Sequence, residues 1–231
     1  MVVTGGVASA DVNFGSSGGG FGSSAGPNDM TITLVRHAES LGNVSGLIDT
    51  KVPGPNLSAL GQTQATKLAT LLHATKFDGA YASNMVRTQQ TAAPTVADQH
   101  LKLNIQPGFR EIEAGQYEGT PEAAAMTGYL QAPIKWLQGD RNARIPGSID
   151  GNEFDKRFDD ALLVAQSRGS RNPVIFSHGG TIMFWSMMNA SNADPSKLGT
   201  DPMRNGGHVT LKGSPQKGWT IVEWVGHPDL S

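Results

Sequence analysis

The sequence predicts a three-layer α/β/α fold with a mostly parallel central sheet and an antiparallel edge hairpin near the C-terminus. From Thr31 onward, short β-rich apolar runs alternate with segments of helical periodicity, as in parallel sheets whose strands are connected by helices. Two later runs, Val209–Leu211 and Trp219–Val225, are joined by a turn containing glycine and proline, which predicts the hairpin. The length of 231 residues suits one substantial domain.

The first predicted strand, Thr31–Val35, is rich in β-branched residues and ends at a polar pair. Further on, Ser58 is a suitable N-cap for a helix. The inner face of that helix is predicted from apolar residues at helical spacing: Ala65, Leu68, Ala69 and Leu72. A second strand is predicted over Gly79–Ala82.

A second helix is predicted directly after this strand. Ser83 stands at its expected start, and Arg87 lies four residues further on, one helical turn along the same face. Pro94 is expected to kink or end the helix, because proline lacks a backbone N–H. A third, short strand is predicted around Leu103–Ile105.

The second half of the chain predicts a long helix, a buried strand and an apolar helix in that order. The long helix covers Asn152–Arg168, and its inner face is predicted from Phe154, Phe158, Ala161, Leu162 and Ala165. Pro173–Phe176 reads as a buried strand, and Ile182–Met188 as the apolar face of the helix that follows. Residues 119–151 follow neither period and are interrupted by glycine and proline, so we expect an insertion packed over one edge of the sheet.

Residues 1–30 differ from the rest in composition. They hold eight glycines and five serines but little apolar surface, so they are predicted to form a flexible tail. Ala8-Ser9-Ala10 resembles a secretory cleavage site, yet the residues before it supply neither a basic start nor a full apolar core. The expected location is therefore the cytoplasm by default, or outside the cell if the true start lies upstream and this site is cleaved.

Bulk composition restricts the class of ligand. A chain without cysteine can have no disulfide, thiolate metal site or cysteine nucleophile. A formal charge of −2 gives no reason to expect nucleic acid, and no apolar run approaches the roughly 18 residues of a membrane span. No histidines or carboxylates show convincing metal-ligand spacing, so neither a metal nor a cofactor is predicted.

Polar residues follow three of the predicted strands, and these residues indicate the chemistry. Arg36 and His37 follow the first strand, Arg87 lies just beyond the second, and His178 follows the buried strand. The carboxyl ends of parallel strands share one edge of a sheet, so these side chains are expected to meet there. Two guanidinium groups suit the oxygens of a phosphate, and an imidazole can attack phosphorus. Gly179 and the next glycine open a helix whose amides add an anion site.

Five segments, in order along the chain, resemble the motifs of the histidine phosphatase superfamily, which includes phosphoglycerate mutases. The chain departs from the usual pattern at Ala38, where the family has glycine. The matching segments are Arg36-His37-Ala38-Glu39-Ser40 with Asn43, Pro55–Gly61, Ser83–Ala92, Phe109–Gly115 with Glu118-Gly119, and Ser177–Gly180. The resemblance implies that residues 31–231 form one domain of this family, with the insertion at about 119–151.

The resemblance also implies a role for each matching residue. His37 is the implied nucleophile, which carries the phosphoryl group as a phosphohistidine. The groups implied to hold that phosphoryl group are Arg36, Asn43, Arg87, His178 and Gly179. Glu111 is the implied acid that protonates the leaving oxygen and then activates water, with Glu113 as the second choice.

Three functions remain open on this evidence. A phosphomonoester hydrolase acting on a small phosphorylated molecule is favoured. A mutase shares the chemistry up to the phosphohistidine, but the insertion offers few basic residues for a second phosphate: Lys135, Arg141 and Arg144. A phospho-ligand binding module on an inactive scaffold is disfavoured because every functional group is present. The substrate and the oligomeric state are not determined by the sequence.

Residues outside the motifs carry weaker predictions. Trp136 in the insertion is a hypothetical substrate contact, and Met183 and Phe184 are either core or part of the acceptor pocket. His208 is expected to be structural unless it reaches the pocket rim. The acidic run Asp155, Asp159 and Asp160 is expected to be a solvated helix face.

Overall fold

A six-stranded sheet runs through residues 28–230, the part of the chain that the computed structural model describes. Of the tail predicted over residues 1–30, residues 1–27 lie outside this range, as does the possible cleavage site. Met30, at the predicted end of the tail, is buried and is the first residue of the first strand. The strands are β1 Met30–Arg36, β2 Gly79–Ala82, β3 Leu103–Ile105, β4 Pro173–Ser177, β5 His208–Ser214 and β6 Gly218–Val225. Their order is β3-β2-β4-β1-β5-β6, in which the first four strands are parallel and β5 and β6 form the antiparallel edge hairpin. The predicted fold class is confirmed.

Helices pack on both faces of the sheet. Residues of β4 show why: Ile175 joins one apolar core, whereas Val174 and Phe176 join the other, because neighbouring residues of a strand point to opposite faces. None of the helices within residues 28–230 is long and apolar enough to cross a membrane. The helices are α1 Leu41–Ser45, α2 Ala59–Leu72, α3 Val86–Asp98, α4 Gln131–Leu137, α5 Gly151–Ser167, α6 Gly179–Asn189 and α7 Lys197–Thr200, with 3₁₀ turns at Pro107–Phe109, Gly115–Tyr117 and Glu122–Thr127.

Helix α2 forms as its sequence predicts. The Ser58 hydroxyl caps it by accepting from the Gly61 amide at 3.0 Å, and every predicted inner residue is buried. Gly61 also packs directly against the loop after β1. A Cβ at this position would lie 1.9 Å from the carbonyl oxygen of Glu39. Only glycine therefore lets α2 approach the segment that follows His37.

Helix α3 differs from its prediction in two ways. It begins at Val86, three residues later than predicted. Ser83 lies before the helix, and its hydroxyl bonds to His178 and to Thr88 of the first turn. Pro94 neither ends nor visibly interrupts the helix, which continues to Asp98. The buried residues around Pro94 pack this helix against the molecule, and tertiary packing outweighs the lost backbone hydrogen bond.

The segment before α5 contains more structure than predicted, and its tryptophan belongs to the core. Trp136 in α4 is 2% exposed, stacks on Phe154 and donates to the Ala143 carbonyl at 2.7 Å. It lies outside the lining of the large cavity described below, so the hypothesis of a substrate contact was wrong. Its aromatic stacking instead anchors the segment onto α5.

The acidic run on α5 is also not the solvated face that was predicted. Asp155 accepts from Arg141 at 2.5 Å and from Asn189 at 2.7 Å, and Asp159 accepts from the Trp185 indole at 3.1 Å. Only Asp160 behaves as predicted, since it is exposed and pairs with Lys156 on the same helix. The other two carboxylates tie α5 to α6 and to the preceding loop.

Candidate active site

The ends of β1, β2 and β4 bring the predicted residues together. Arg36 is paired with Ser177 across the parallel β1/β4 ladder, and the His37 amide donates to the Ser177 carbonyl at 3.0 Å. The residues that follow these strands, His37 and His178, therefore lie side by side, with ring centroids 5.2 Å apart. Both side chains are buried. The first turn of α3 adds Arg87 from the neighbouring strand end.

The hydrogen bonds of His37 fix its tautomer. Its Nδ1 lies 2.7 Å from the carbonyl oxygen of Ala38, which can only accept, so Nδ1 carries the proton. Its Nε2 lies 3.1 Å from Nε of Arg87, which can only donate, so Nε2 keeps its lone pair. The neutral ring thus carries its lone pair on Nε2, where it accepts a hydrogen bond from Arg87.

Burial and neighbouring arginines keep both rings neutral. The pKa of His37 lies well below its usual value because burial disfavours the imidazolium, and the charges of Arg87 and Arg36 lower it further. The pKa of His178 is likewise lowered well below its usual value, by burial first and then by Arg87 and His37. Near neutral pH a lone pair on His37 is therefore available without deprotonation.

Three buried donors around His37 have no hydrogen-bond partner within residues 28–230. These are Nε of Arg36, Nη1 of Arg87 and Nδ1 of His178. The other ends of the two guanidinium groups are anchored, since Arg36 donates to the Met203 carbonyl at 2.7 Å and Arg87 to the Asp49 carbonyl at 3.0 Å. Buried donors without acceptors are costly, so each of these groups would gain from an acceptor that a ligand supplies.

Glu111 lies at the N-terminus of α6 and faces the cavity. One carboxylate oxygen accepts from the Thr181 amide at 2.8 Å and the other from the Gly180 amide at 3.2 Å. A Cβ on Gly180 would lie 2.9 Å from this carboxylate, so glycine is needed for the approach. The amides of Gly180 and Thr181, at the start of the helix that was expected to bind a substrate anion, thus donate to Glu111. Gly179 lines the cavity beside Arg36.

Glu113 points elsewhere. It forms a close ion pair with Arg110 and lies 3.6 Å from Arg157, and it is absent from the lining of the cavity that His37 and Glu111 line. The structure therefore brings Glu111, and not Glu113, to the phosphate end of this cavity.

Asn43 completes the set of residues predicted from the motifs. Its side-chain oxygen accepts from the Ser40 amide and from Asn205 at 3.2 Å each, which leaves its NH₂ group as the donor available to the cavity. Asn205 also donates to the His37 carbonyl at 3.0 Å. The sequence gave no signal for Asn205, because it lies in a connecting loop outside any motif or periodic pattern.

Three charged residues at the cavity were also missed by the sequence reasoning. They lie in the loop after α1, in the segment before α4 and in the loop before β5, and are Asp49, Glu122 and Arg204. Charge alone does not place a residue in a site, so only the fold reveals them. The three basic residues weighed for a second phosphate, Lys135, Arg141 and Arg144, lie outside this lining.

The cavity has a volume of about 620 Å³ and is continuous from His37 to Met126. His208 lines a different cavity, next to the edge hairpin, so it does not reach this one. Within residues 28–230, no group of three or more histidine and carboxylate side chains is arranged to hold a metal ion.

Comparisons with known proteins identify the family of the chain. Residues 32–226 match the histidine phosphatase superfamily (branch 1). The chain is 39% identical to PE-PGRS family protein PE_PGRS11 of Mycobacterium tuberculosis over 86% of its own length, but it spans only 37% of that protein. It is 30% identical to the adenosylcobalamin/alpha-ribazole phosphatase of Escherichia coli, over 66% of this chain and 75% of that enzyme.

Solved structures show the same fold. The native structure of mycobacterial glucosyl-3-phosphoglycerate phosphatase superposes with a TM-score of 0.69 at 21% identity, covering 86% of this chain and all of that one. The chain belongs to the histidine phosphatase superfamily. The family resemblance predicted from its motifs is confirmed.

Proposed function

We propose that this protein hydrolyses phosphomonoesters through a phosphohistidine on Nε2 of His37, without a metal ion. The observation that carries the proposal is the neutral His37, whose Nε2 accepts from Arg87 and whose ring lies beside His178, at a cavity that Arg36 also lines. The guanidinium groups of Arg36 and Arg87 would bind the oxygens of a phosphoryl group, with Asn43 and Gly179 as further contacts. The comparisons support phosphatase chemistry at family level.

In the first half-reaction, the Nε2 lone pair of His37 attacks phosphorus and the bond to the leaving oxygen breaks. Glu111 enters this step as the protonated carboxylic acid and donates its proton to that oxygen, so the alcohol departs and Glu111 becomes the carboxylate. The proton remains on Nδ1 of His37, which donates it in a hydrogen bond to the Ala38 carbonyl. This hydrogen bond stabilises the positive charge that develops on the ring. The cationic cluster offsets the charge of the equatorial oxygens, the contribution that metal ions make in other phosphoryl-transfer enzymes.

In the second half-reaction, Glu111 takes a proton from water, which attacks phosphorus as the N–P bond breaks. Inorganic phosphate leaves, and both His37 and Glu111 return to their starting states. Hydrolysis is favoured over mutase-type return of the phosphoryl group because Lys135, Arg141 and Arg144 offer no second cationic cluster in the cavity lining. A binding role alone would not require the activated tautomer of His37.

The test is hydrolysis of p-nitrophenyl phosphate between pH 5 and 8 in excess EDTA. Wild type is expected to turn over, and His37→Ala to lose at least about a thousandfold in kcat, because the nucleophile is gone. His73→Ala is the matched control, since His73 is exposed and pairs only with Asp98. Activity abolished by EDTA, or retained in His37→Ala, would contradict the mechanism. Inactivity of the wild type would contradict the hydrolase assignment.

A further inference from the structure

The cavity is lined by a set of apolar side chains as well as by polar ones. We name this apolar set the acceptor chamber and define its walls by Ile48, Tyr129, Leu130, Met183, Phe184 and Met203. Four of these residues are buried, so their side chains are held in place by the core. The chamber is therefore a built surface and belongs to the rigid part of the molecule.

The polar atoms within these walls are directed away from the chamber. The Tyr129 hydroxyl donates to the Ile112 carbonyl at 2.5 Å, so the residue presents its ring to the cavity and satisfies its oxygen in the core. The sulfur of Met183 accepts from the Met203 amide at 3.4 Å. No hydroxyl of the chamber walls is left to bind a polar leaving group.

The charges near the chamber oppose each other. Besides Arg36, Arg87 and the acid Glu111, the charged residues that line the cavity are Asp49, Glu122 and Arg204. Asp49 lies 3.9 Å from Nη1 of Arg87, which leaves Glu122 and Arg204 as the charges to consider. Arg204 is exposed and has no ion pair within residues 28–230, and Glu122 interacts electrostatically with Arg36. A carboxylate on the substrate would gain one exposed cation and meet one like charge. Since exposed ion pairs contribute little, the chamber adds no net binding free energy for a leaving group that carries a carboxylate.

Apolar side chains continue to the mouth of the cavity. Leu47 is 41% and Met126 59% exposed, and both line the entrance. Exposed apolar side chains around a concave site are typical of ligand contacts. Together with the volume of about 620 Å³, they provide more room than a phosphoryl group with a three-carbon acid occupies.

We infer that the substrate is a phosphate ester of a large, uncharged, mainly apolar alcohol, bound with its carbon chain along the acceptor chamber. The inference rests on the proposed hydrolase function and adds the class of leaving group. It follows from the apolar walls, the turned-away Tyr129 hydroxyl and the opposed charges of Glu122 and Arg204.

The experiment measures kcat/KM for n-alkyl phosphates from two to eight carbons and for the same chains ending in a carboxylate. The alcohols in each pair have similar leaving-group chemistry, so differences report binding in the chamber. We expect kcat/KM to rise about two- to fourfold per methylene until the chamber is filled, because apolar area is buried. The carboxylated member of each long pair is expected to be at least about tenfold slower.

Three variants localise the effect. Met126→Ser is expected to flatten the dependence on chain length, whereas Val222→Ser, a 50% exposed residue on β6 outside the cavity, leaves it unchanged. Glu122→Gln is expected to narrow the gap between alkyl and carboxyalkyl phosphates by about three- to tenfold, because a like charge is removed.

The outcomes separate the two proposals. His37-dependent hydrolysis with no dependence on chain length, or with a preference for the carboxylated chains, would overturn the substrate class and leave the phosphatase intact. Inertness toward every ester, p-nitrophenyl phosphate included, would overturn the hydrolase function and the substrate class with it.

Discussion

The Ser83 hydroxyl lies between Thr88 and Nε2 of His178 at the candidate site. Ser83 Oγ accepts from the Met85 amide at 3.1 Å and lies 2.9 Å from both Nε2 of His178 and Oγ1 of Thr88. The hydroxyl of Thr88 lies 2.7 Å from the Met85 carbonyl, to which it can only donate. The proton of Ser83 therefore goes either to Thr88 or to His178 Nε2. We expect the second arrangement, which places the ring proton of His178 on Nδ1.

Ser83→Ala is expected to lower kcat by about tenfold or more, short of the roughly hundred- to thousandfold loss from removing a transition-state donor outright. Without the serine, His178 is free to adopt the other tautomer and lose its donor. The ¹⁵N chemical shifts of the His178 ring, with kcat, measure the effect directly.

Thr88→Val is the matched control for this change. It removes a neighbouring buried hydroxyl of similar shape but leaves the bond between Ser83 and His178 in place. We expect it to lower stability by about 1 kcal/mol and to leave the His178 tautomer unchanged. A Ser83→Ala protein with wild-type kcat and wild-type ring shifts would show that Ser83 has no positioning role.

At the scale of elements, the loop from Arg110 to Ala114 separates two carboxylates by function. Glu111 is held by the first turn of α6 and faces the cavity, whereas Glu113 faces Arg110 and the buried Arg157. Burial lowers the pKa of Arg157 to about 10, against the raising effect of Glu113, so that carboxylate stabilises a buried cation. One loop thus supplies a catalytic candidate and a structural ion pair two residues apart.

Glu111→Gln is expected to lower kcat by about a hundred- to ten-thousandfold on alkyl phosphates, because their leaving oxygens need a proton. The loss is expected to be smaller on p-nitrophenyl phosphate, whose leaving group departs as an anion. Glu113→Gln keeps turnover within about threefold and instead lowers stability, because Arg157 loses its partner. Equal loss on both substrates would argue that Glu111 is not the acid.

Local sequence patterns account for most of the elements and for the motif residues of the site. Strands, amphipathic faces and the Ser58 cap depend on neighbouring residues, so they can be predicted from short windows. The start of α3 could not be, because Ser83 has two possible roles and the contact with His178 decides between them. The passage of α3 through Pro94 likewise depends on tertiary packing.

Two of the residues that no sequence pattern points to, Arg204 and Asn205, come from the loop before β5. The position of this loop depends on β5 pairing beside β1, where the Arg36 amide donates to the Gly207 carbonyl at 2.8 Å. That pairing brings Arg204 to the cavity and Asn205 to the His37 carbonyl. Such residues become predictable only when the strand order is known.

At the scale of the whole molecule, the active site is a source of pH-dependent instability. Two neutral histidines are buried beside two arginines, and the pKa of each ring lies well below its unfolded value, first because of burial. Between the folded and the unfolded pKa of each ring, the unfolded chain binds a proton that the folded chain does not. Stability is therefore complete above about pH 6.5 and is lost as the pH falls toward the folded pKa values.

Asp159 acts in the opposite direction. Burial, and next the charge of Asp155, raise its pKa to about 6, so the folded chain binds a proton there that the unfolded chain does not. This carboxyl group contributes stability at acidic pH and loses it as the pH rises through about 6. Between pH 6.5 and 6 the histidines dominate, and below pH 6 the two effects partly offset.

We therefore expect the free energy of unfolding to fall as the pH is lowered from 7 to 5, by at most about 1.4 kcal/mol per pH unit for each buried histidine. Denaturant titrations at half-unit intervals of pH measure it. His178→Gln, which cannot titrate but can keep a bond to Ser83, is expected to flatten the dependence, and Asp159→Asn to steepen it below pH 6. A flat wild-type profile would mean that the two rings are not held neutral by the fold, and the neutral nucleophile assigned to His37 would lose its structural basis.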